Sequence, residues 1–508
     1  MTSDFDLAIV GSGFAGSLMA VIARRLGLSV VLIERGRHPR FAIGESSTPL
    51  AALVLETLAD RYALPWLRPF SKWGTWQATY PEIGAGLKRG FSFFHHTKGM
   101  PWEFRPGREN QLLVAASPND SIADTHWHRP DFDLFLQRQA VEAGAEYTDE
   151  TRINTLTRDP EGWELSGDRP GGPFRCRARW IVDASGPRGF LFRQLGLRDD
   201  GFRGFPPTAG IWNHFTGVQR WESLHPGFGA APFPPDDAAQ HHVFEGGWMW
   251  VLRLNNGLTS AGFALHGDLA TGIGAGAPED RWRERMDRFP SVAAQFSRAQ
   301  PIRPFTVQTR LPFRSQACTG PGWIQLPMAA GFIDPLFSSG FVLNLLGIER
   351  LGDWISGGMN PAELEGYEVE TLGDLDATAD LIAAAYRVLD DPPAFQSVAM
   401  LYFAAASFSE TARRLGRPEM APGFLLRHES RFGPAFRECL LAAGRAPAGD
   451  LADRVASTVK DFNVAGLCNV QKRGWYPVAV ADLFASSDRL GVSTEAIAAM
   501  LQRNGFDL

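Results

Sequence analysis

The 508-residue sequence predicts an α/β fold with a largely helical C-terminal region. Three observations carry this. Two apolar runs, FDLAIV ending at Val10 and SVVLIE ending at Glu34, flank a glycine-rich turn and a stretch with helical apolar spacing that stops at Gly27. A later apolar run, from Trp180, ends in Asp183-Ala-Ser-Gly186, another strand entering a turn. Beyond residue 356 most segments carry helical rather than alternating apolar spacing. Hydrophobic residues at 44% and charged residues at 21% supply a large core and exclude a disordered chain.

The first element is a Rossmann-like βαβ unit. Its turn reads Gly11-Ser-Gly13-Phe14-Ala15-Gly16, with Glu34 following the last glycine by 18 positions. Gly11 permits the tight turn, Gly13 lets backbone approach a pyrophosphate, and Gly16 allows close helix–sheet packing. The N–H groups of the helix start, around Phe14 and Ala15, face the phosphates, and Glu34, with Arg35 beside it, accepts from ribose hydroxyls. A dinucleotide site follows.

The polar loop Gly44-Glu45-Ser46-Ser47 comes next. Arg129 opens a helix whose first turn holds Pro130, and Asp334-Pro335 stands at a strand-to-helix turn ending in Gly340. GIGAGAP (272–278) follows no apolar strand and reads as a loop, so a second dinucleotide fold is not expected. The dinucleotide module is discontinuous: 1–75, 105–200 and 305–355. An antiparallel sheet from 76–104 and 201–304 roofs the site, and 356–508 is mostly helical.

Other classes are excluded. A net charge of −6 offers no nucleic-acid footprint, and no apolar run approaches 18 residues, so no membrane span is expected. Asp4 and Asp6 stand where a signal peptide carries positive charge. Cys176, Cys318, Cys439 and Cys468 are too scattered for a zinc site and read as thiols of a cytoplasmic protein. His126 and His128 share a strand face but lack a third ligand, so no metal is expected. Only five of the 50 basic residues are lysines, which singles out Lys72, Lys88, Lys98, Lys460 and Lys472.

The βαβ unit, the D-x-S-G strand end at Asp183 and the A-G-x-x-D-P turn at Ala330–Pro335 together resemble the flavoprotein monooxygenase superfamily. The resemblance implies FAD, with Asp334 and Pro335 near the flavin and Arg129 packing over it. Four motifs narrow it further: Gly44-Glu45-Ser46-Ser47, Lys88-Arg-Gly90-Phe-Ser-Phe93, Gly247-Trp248-Met-Trp250-Val-Leu252, and Phe332-Ile-Asp334-Pro335-Leu-Phe337-Ser338-Ser339-Gly340. Over about residues 1–350 these resemble the flavin-dependent halogenases.

That resemblance implies an FADH2-dependent enzyme that uses oxygen and chloride or bromide to halogenate an electron-rich aromatic ring through hypohalous acid. Lys88 is then the catalytic lysine, and Ser338, Ser339 and Gly340 hold the halide. Phe93, Trp248, Trp250 and Phe337 form the substrate pocket, and Asp124 or His126 assists as a base. The implied partners are a separate NAD(P)H-flavin reductase and a small aromatic substrate, free or bound to a carrier protein; the helical tail, outside the resemblance, is open to capping the substrate pocket, shaping a homodimer or docking a carrier protein.

This sequence departs from the pattern at Pro327 and Met328, before the flavin loop, and at Arg253, where the tryptophan motif has proline. Phe337 replaces a glutamate of tryptophan halogenases and points to phenolic or pyrrolic substrates. The competing readings are an aromatic hydroxylase, a polyprenyl-type reductase of the same fold, and a non-catalytic flavin-binding protein.

Overall fold

The computed structural model describes residues 3–506. Its first sheet runs Thr319–Gly320, Trp323–Gln325, Gly172–Asp183, Ser3–Val10, Val30–Ile33, Glu146–Thr148, with the hairpin Arg152–Asp159 and Gly162–Arg169 attached to Gly172–Asp183. Along this order every join after the first is parallel. Leu7 and Ile9 enter one core cluster, Ala8 and Val10 another, as expected of a strand covered on both faces. The helix Phe14–Arg25 covers the first of these faces.

A nine-stranded sheet forms the roof. It is antiparallel except where Gly90–His96 meets Ala239–Phe244 and where Gln111–Ala115 meets Trp475–Tyr476. Gln111–Ala115 thus belongs to the roof, although the sequence reading placed it in the nucleotide-binding module. Its apolar residues announce a strand but carry no mark of which neighbour they pair with. Along Gly247–Arg253, Trp248 and Trp250 face the main core while Met249 and Val251 face a second cluster behind the sheet.

A short ladder, Ala85–Lys88 against Asp124–Trp127, stands apart from both sheets. The C-terminal third supplies long helices at Leu364–Tyr386 and Pro392–Arg414, then Phe432–Ala442, Ala448–Val459 and Thr494–Arg503. They pack their apolar faces into the main core, beside the helix Ser339–Ser356.

Candidate active site

A groove of about 420 Å3 lies where the parallel strands end, bordered by Gly13, Phe14 and Ala15 on one side and Ala184–Pro187 on the other. Its glycines are fixed by space. A Cβ on Gly16 would sit 1.9 Å from the Gly11 carbonyl oxygen and 2.9 Å from the Ala184 Cβ. Gly11 has φ +103°, a backbone conformation that suits glycine. Gly13 N-caps the helix Phe14–Arg25, whose start opens on the groove. A second cavity of about 750 Å3 continues from it, sharing Arg35, Arg40 and Ser185 and reaching Gly11 and Glu34. Glu34 accepts from the Ser12 and Gly36 N–H groups at 3.0 and 2.8 Å and pairs with Arg40 at 3.5 Å.

These residues fit a flavin dinucleotide. The helix start and Arg35 offer donors to an anion, and the buried Arg40 Nε and Ser46 Oγ on the groove wall have no protein partner. Glu45, also on the wall, is bound by His214 at 2.7 Å; burial opposes its charge, but His214 holds its carboxyl below the usual range. Arg129 grips Asp133 at 2.7 and 2.8 Å and the Ile43 and Gly44 carbonyls at 3.1 and 2.8 Å, fixing the Glu45 loop against the groove. Asp183 does not border the groove: its carboxylate accepts from the N–H groups of Ser185 and Leu191 and shapes the turn that does. Met328 lies on the wall and Pro327 packs within 2.4 Å of where a Gly347 Cβ would sit. Arg253 binds Asp236 at 2.5 Å and the Val218 carbonyl at 3.0 Å, away from the groove.

The far end of the groove is the segment Asp334–Gly340. Asp334 is buried and accepts from the Leu336 N–H at 3.0 Å, the Trp248 indole at 3.1 Å and the Tyr386 hydroxyl at 2.8 Å. Burial lifts it to about 6 despite these donors. Pro335 follows, and Phe337 and Ser338 adopt left-handed φ of 65° and 56°, costly for non-glycine residues. Tyr402 holds them there: its hydroxyl donates to the Phe337 carbonyl at 2.8 Å and its ring stacks on Phe337 at 4.8 Å. The Ser338 N–H is taken by the Pro335 carbonyl at 3.0 Å. Of the three expected halide residues, Ser339 and Gly340 therefore offer N–H groups at the helix start, while Ser338 offers its hydroxyl.

That hydroxyl leads to Lys88. The lysine is fully buried, donates to the Ser47 carbonyl, stands 3.4 Å from Ser338 Oγ, and lies 4.0 Å from the centre of the Phe91 ring. Burial lowers its pKa to about 7, against the pull of Asp124, its partner across the short ladder. On the other side of Lys88, Phe91 and Asp124 border an apolar cavity of about 170 Å3. Its remaining walls come largely from the C-terminal third, including Tyr402, Phe403, Tyr476 and Leu483.

The pocket expectation is corrected here. Phe91, not Phe93, meets the cavity; Phe93 stacks on His241 at 4.4 Å and is enclosed in the core. Phe337 packs against Tyr402 behind the wall, and Trp248 and Trp250 border the flavin-side groove instead. Tyr386 and Tyr402 escaped the sequence reading because each sits in a helix whose pattern announces only burial. His126 is buried, pushed down to about 3 by burial and Lys88, and bonds the Ala238 carbonyl at 3.3 Å. Among the described residues no three His, Cys, Asp or Glu side chains group as metal ligands, all four cysteines are free, and no helix is long and apolar enough to cross a membrane.

The family described as FAD dependent oxidoreductase matches residues 6–313. Monodechloroaminopyrrolnitrin halogenase PrnC of Pseudomonas fluorescens is 30% identical over 401 residues, spanning 77% of this chain and 69% of that protein. Tetracycline 7-halogenase of Kitasatospora aureofaciens is 32% identical over 66% of this chain and 60% of its own length. Halogenase PltM, crystallised with phloroglucinol and FAD, superposes with a TM-score of 0.82 at 24% identity, covering 92% of this chain and 99% of its own, a likeness of fold.

Proposed function

The chain belongs to the flavin-dependent halogenases, and from that premise we propose that it halogenates a compact, electron-rich aromatic ring of phenolic or pyrrolic type by way of hypohalous acid. One observation carries the reading: a single buried ammonium group, Lys88, stands between the flavin-side groove and an apolar cavity, 3.4 Å from Ser338 on one side and 4.0 Å from the Phe91 ring centre on the other. Held by the Gly11–Gly16 turn, Glu34 and Arg35, a flavin reduced by a separate NAD(P)H-dependent reductase would supply the electrons that let oxygen convert chloride or bromide to hypohalous acid.

The residues divide the remaining work. N–H groups of Ser339 and Gly340 hold the halide anion at the helix start. Tyr402 and Tyr386 keep the Asp334–Gly340 segment in the shape that presents them. Lys88 holds a proton at Nζ and hydrogen-bonds the hypohalous oxygen, polarising the O–X bond at one fixed place. Phe91 and the C-terminal wall orient the ring and exclude water. That wall comes from the helix Pro392–Arg414 and from residues 464–506, and the ring enters free or carried by a carrier protein.

The test is direct. Protein, FAD, a flavin reductase, NADH, oxygen and bromide are incubated with resorcinol, 4-methylphenol and pyrrole, and products are weighed by mass spectrometry. The bromine isotope doublet is expected. A gain of one oxygen instead would overturn the reading in favour of a hydroxylase.

A further inference from the structure

The helix Pro392–Arg414 runs along the cavity beyond Lys88 and carries its wall from apolar to charged. Phe403, Ala406, Glu410 and Arg414 line the cavity at helical spacing. Phe403 packs against the Phe91 ring at 5.3 Å, beside Lys88. Glu410 follows about two turns later, roughly 10 Å along the axis. It is tied to Arg414 at 2.6 Å, and Arg414 also reaches Glu56 at 3.1 Å and Asn504 Oδ1 at 2.5 Å. Lys72, which also borders the cavity, donates to the Asn504 carbonyl at 3.1 Å and enters no ion pair among the described residues. Burial lowers its pKa, with Glu56 near enough to oppose.

The charges at this end balance. Glu56 and Glu410 are offset by Arg414 and Lys72, Arg68 beyond them is paired with Asp60 at 2.7 Å, and Lys88 and Asp124 offset each other at the Phe91 end. A guest bringing a carboxylate or an ammonium here would leave one charge without a counter-ion in a mostly apolar chamber, a costly state. A purely apolar guest would strip water from the Lys72 N–H groups and from Glu410 Oε2 and return nothing. Among the described residues Lys72 donates to one partner and Glu410 accepts only at Oε1. A neutral group with one acceptor and one donor satisfies both. Resting on the halogenase reading above, we propose that this end of the cavity binds an uncharged carboxamide on the aromatic substrate, its carbonyl oxygen accepting from Lys72 Nζ and its N–H donating to Glu410 Oε2. The ring then lies against Phe91 beside Lys88, and a short spacer joins it to the amide. Helical side chains lean toward the N-terminus, so Glu410 reaches back toward Phe403 and shortens the span the spacer must cover. Lys72 and Glu410 are specificity-determining residues, remote from the halogen.

The test uses the full chain with FAD, reductase, NADH, oxygen and bromide, and compares four phenols that differ only in the tail. They are 4-hydroxyphenylacetamide, 4-hydroxyphenylacetate, tyramine and the apolar isostere 4-isobutylphenol. The natural protein is expected to favour the amide over each of the others by about 10-fold in kcat/KM, as hydrogen bonds to charged groups allow, with the difference in KM rather than kcat. Lys72→Met leaves the cluster net negative, so the preference should pass from the amide to tyramine. Glu410→Gln leaves it net positive, so the preference should pass to 4-hydroxyphenylacetate, which carries the test if the lysine variant fails to fold. Lys72→Arg keeps charge and donors and should keep the amide preference. A merely structural role would lower all four substrates together. That result, a natural protein indifferent to the tail, or variants that keep the natural ranking would overturn the assignment. If none of the four rings is brominated, the underlying halogenase function fails instead, a distinguishable result.

Discussion

Lys88 and Asp124 face each other across a four-residue ladder, both buried, close enough to couple yet without forming an ion pair among the described residues. A carboxylate and an ammonium so placed share the strain of burial rather than relieving it.

Replacing Lys88 with Met keeps the volume and removes the ammonium. Ring bromination is expected to fall at least about 100-fold while flavin is retained, because Lys88 does not border the flavin groove. Flavin absorbance after gel filtration and product mass spectra check both halves.

The couple also sets a pH signature. Burial lowers Lys88 to about 7, so the donor is lost, and halogenation falls, as pH rises through that value. Asp124→Asn removes a nearby negative charge and should move this alkaline limb to lower pH. A limb that stays in place would contradict the coupling.

Stability should run through a minimum near neutrality. Asp124 is raised from 3.8 to about 7 by burial, against Lys88, so its contribution is present below 3.8 and lost as pH rises to 7. Lys88, lowered from 10.5, contributes in the opposite sense: fully present above 10.5 and lost as pH falls to about 7. The double variant Lys88→Met, Asp124→Asn should therefore melt higher than the natural protein at pH 7. Thermal melts from pH 4 to 10 read this.

Gly16→Ala places a Cβ 1.9 Å from the Gly11 oxygen, and the turn must shift. A loss of about 1–3 kcal/mol, as for an overpacked core, is expected together with loss of bound flavin. Retained flavin absorbance would refute the packing role of this glycine.

Tyr402→Phe removes the donor to the Phe337 carbonyl in a left-handed segment. About 1–2 kcal/mol of stability should go with it. The KM for bromide should rise more than kcat falls, since the segment presents the halide-binding N–H groups. A steady-state bromide titration separates the two.

The flavin half was legible because its signals are local. Gly11, Gly13 and Gly16 stand within six residues and dictate one turn, and Asp334-Pro335 marks a second. Lys88 was legible as a type at a spacing. Its register with Asp124 was not, since 36 positions separate them and a strand pattern does not name its partner. Tyr386 and Tyr402 reach the site from helices whose apolar faces look like any other core, and Phe91 and Phe93 could not be ranked because both share one face and only packing decides which meets the cavity.

Trp475–Tyr476 stitches the segment 464–506 onto the outer edge of the roof, and residues of that segment close the apolar chamber. The oxidising half and the ceiling over its guest are thus separately editable. Changes between 464 and 506 can reshape what fits without touching the machinery that activates the halogen, so relatives sharing the nucleotide turns are expected to diverge in guest size chiefly along that stretch.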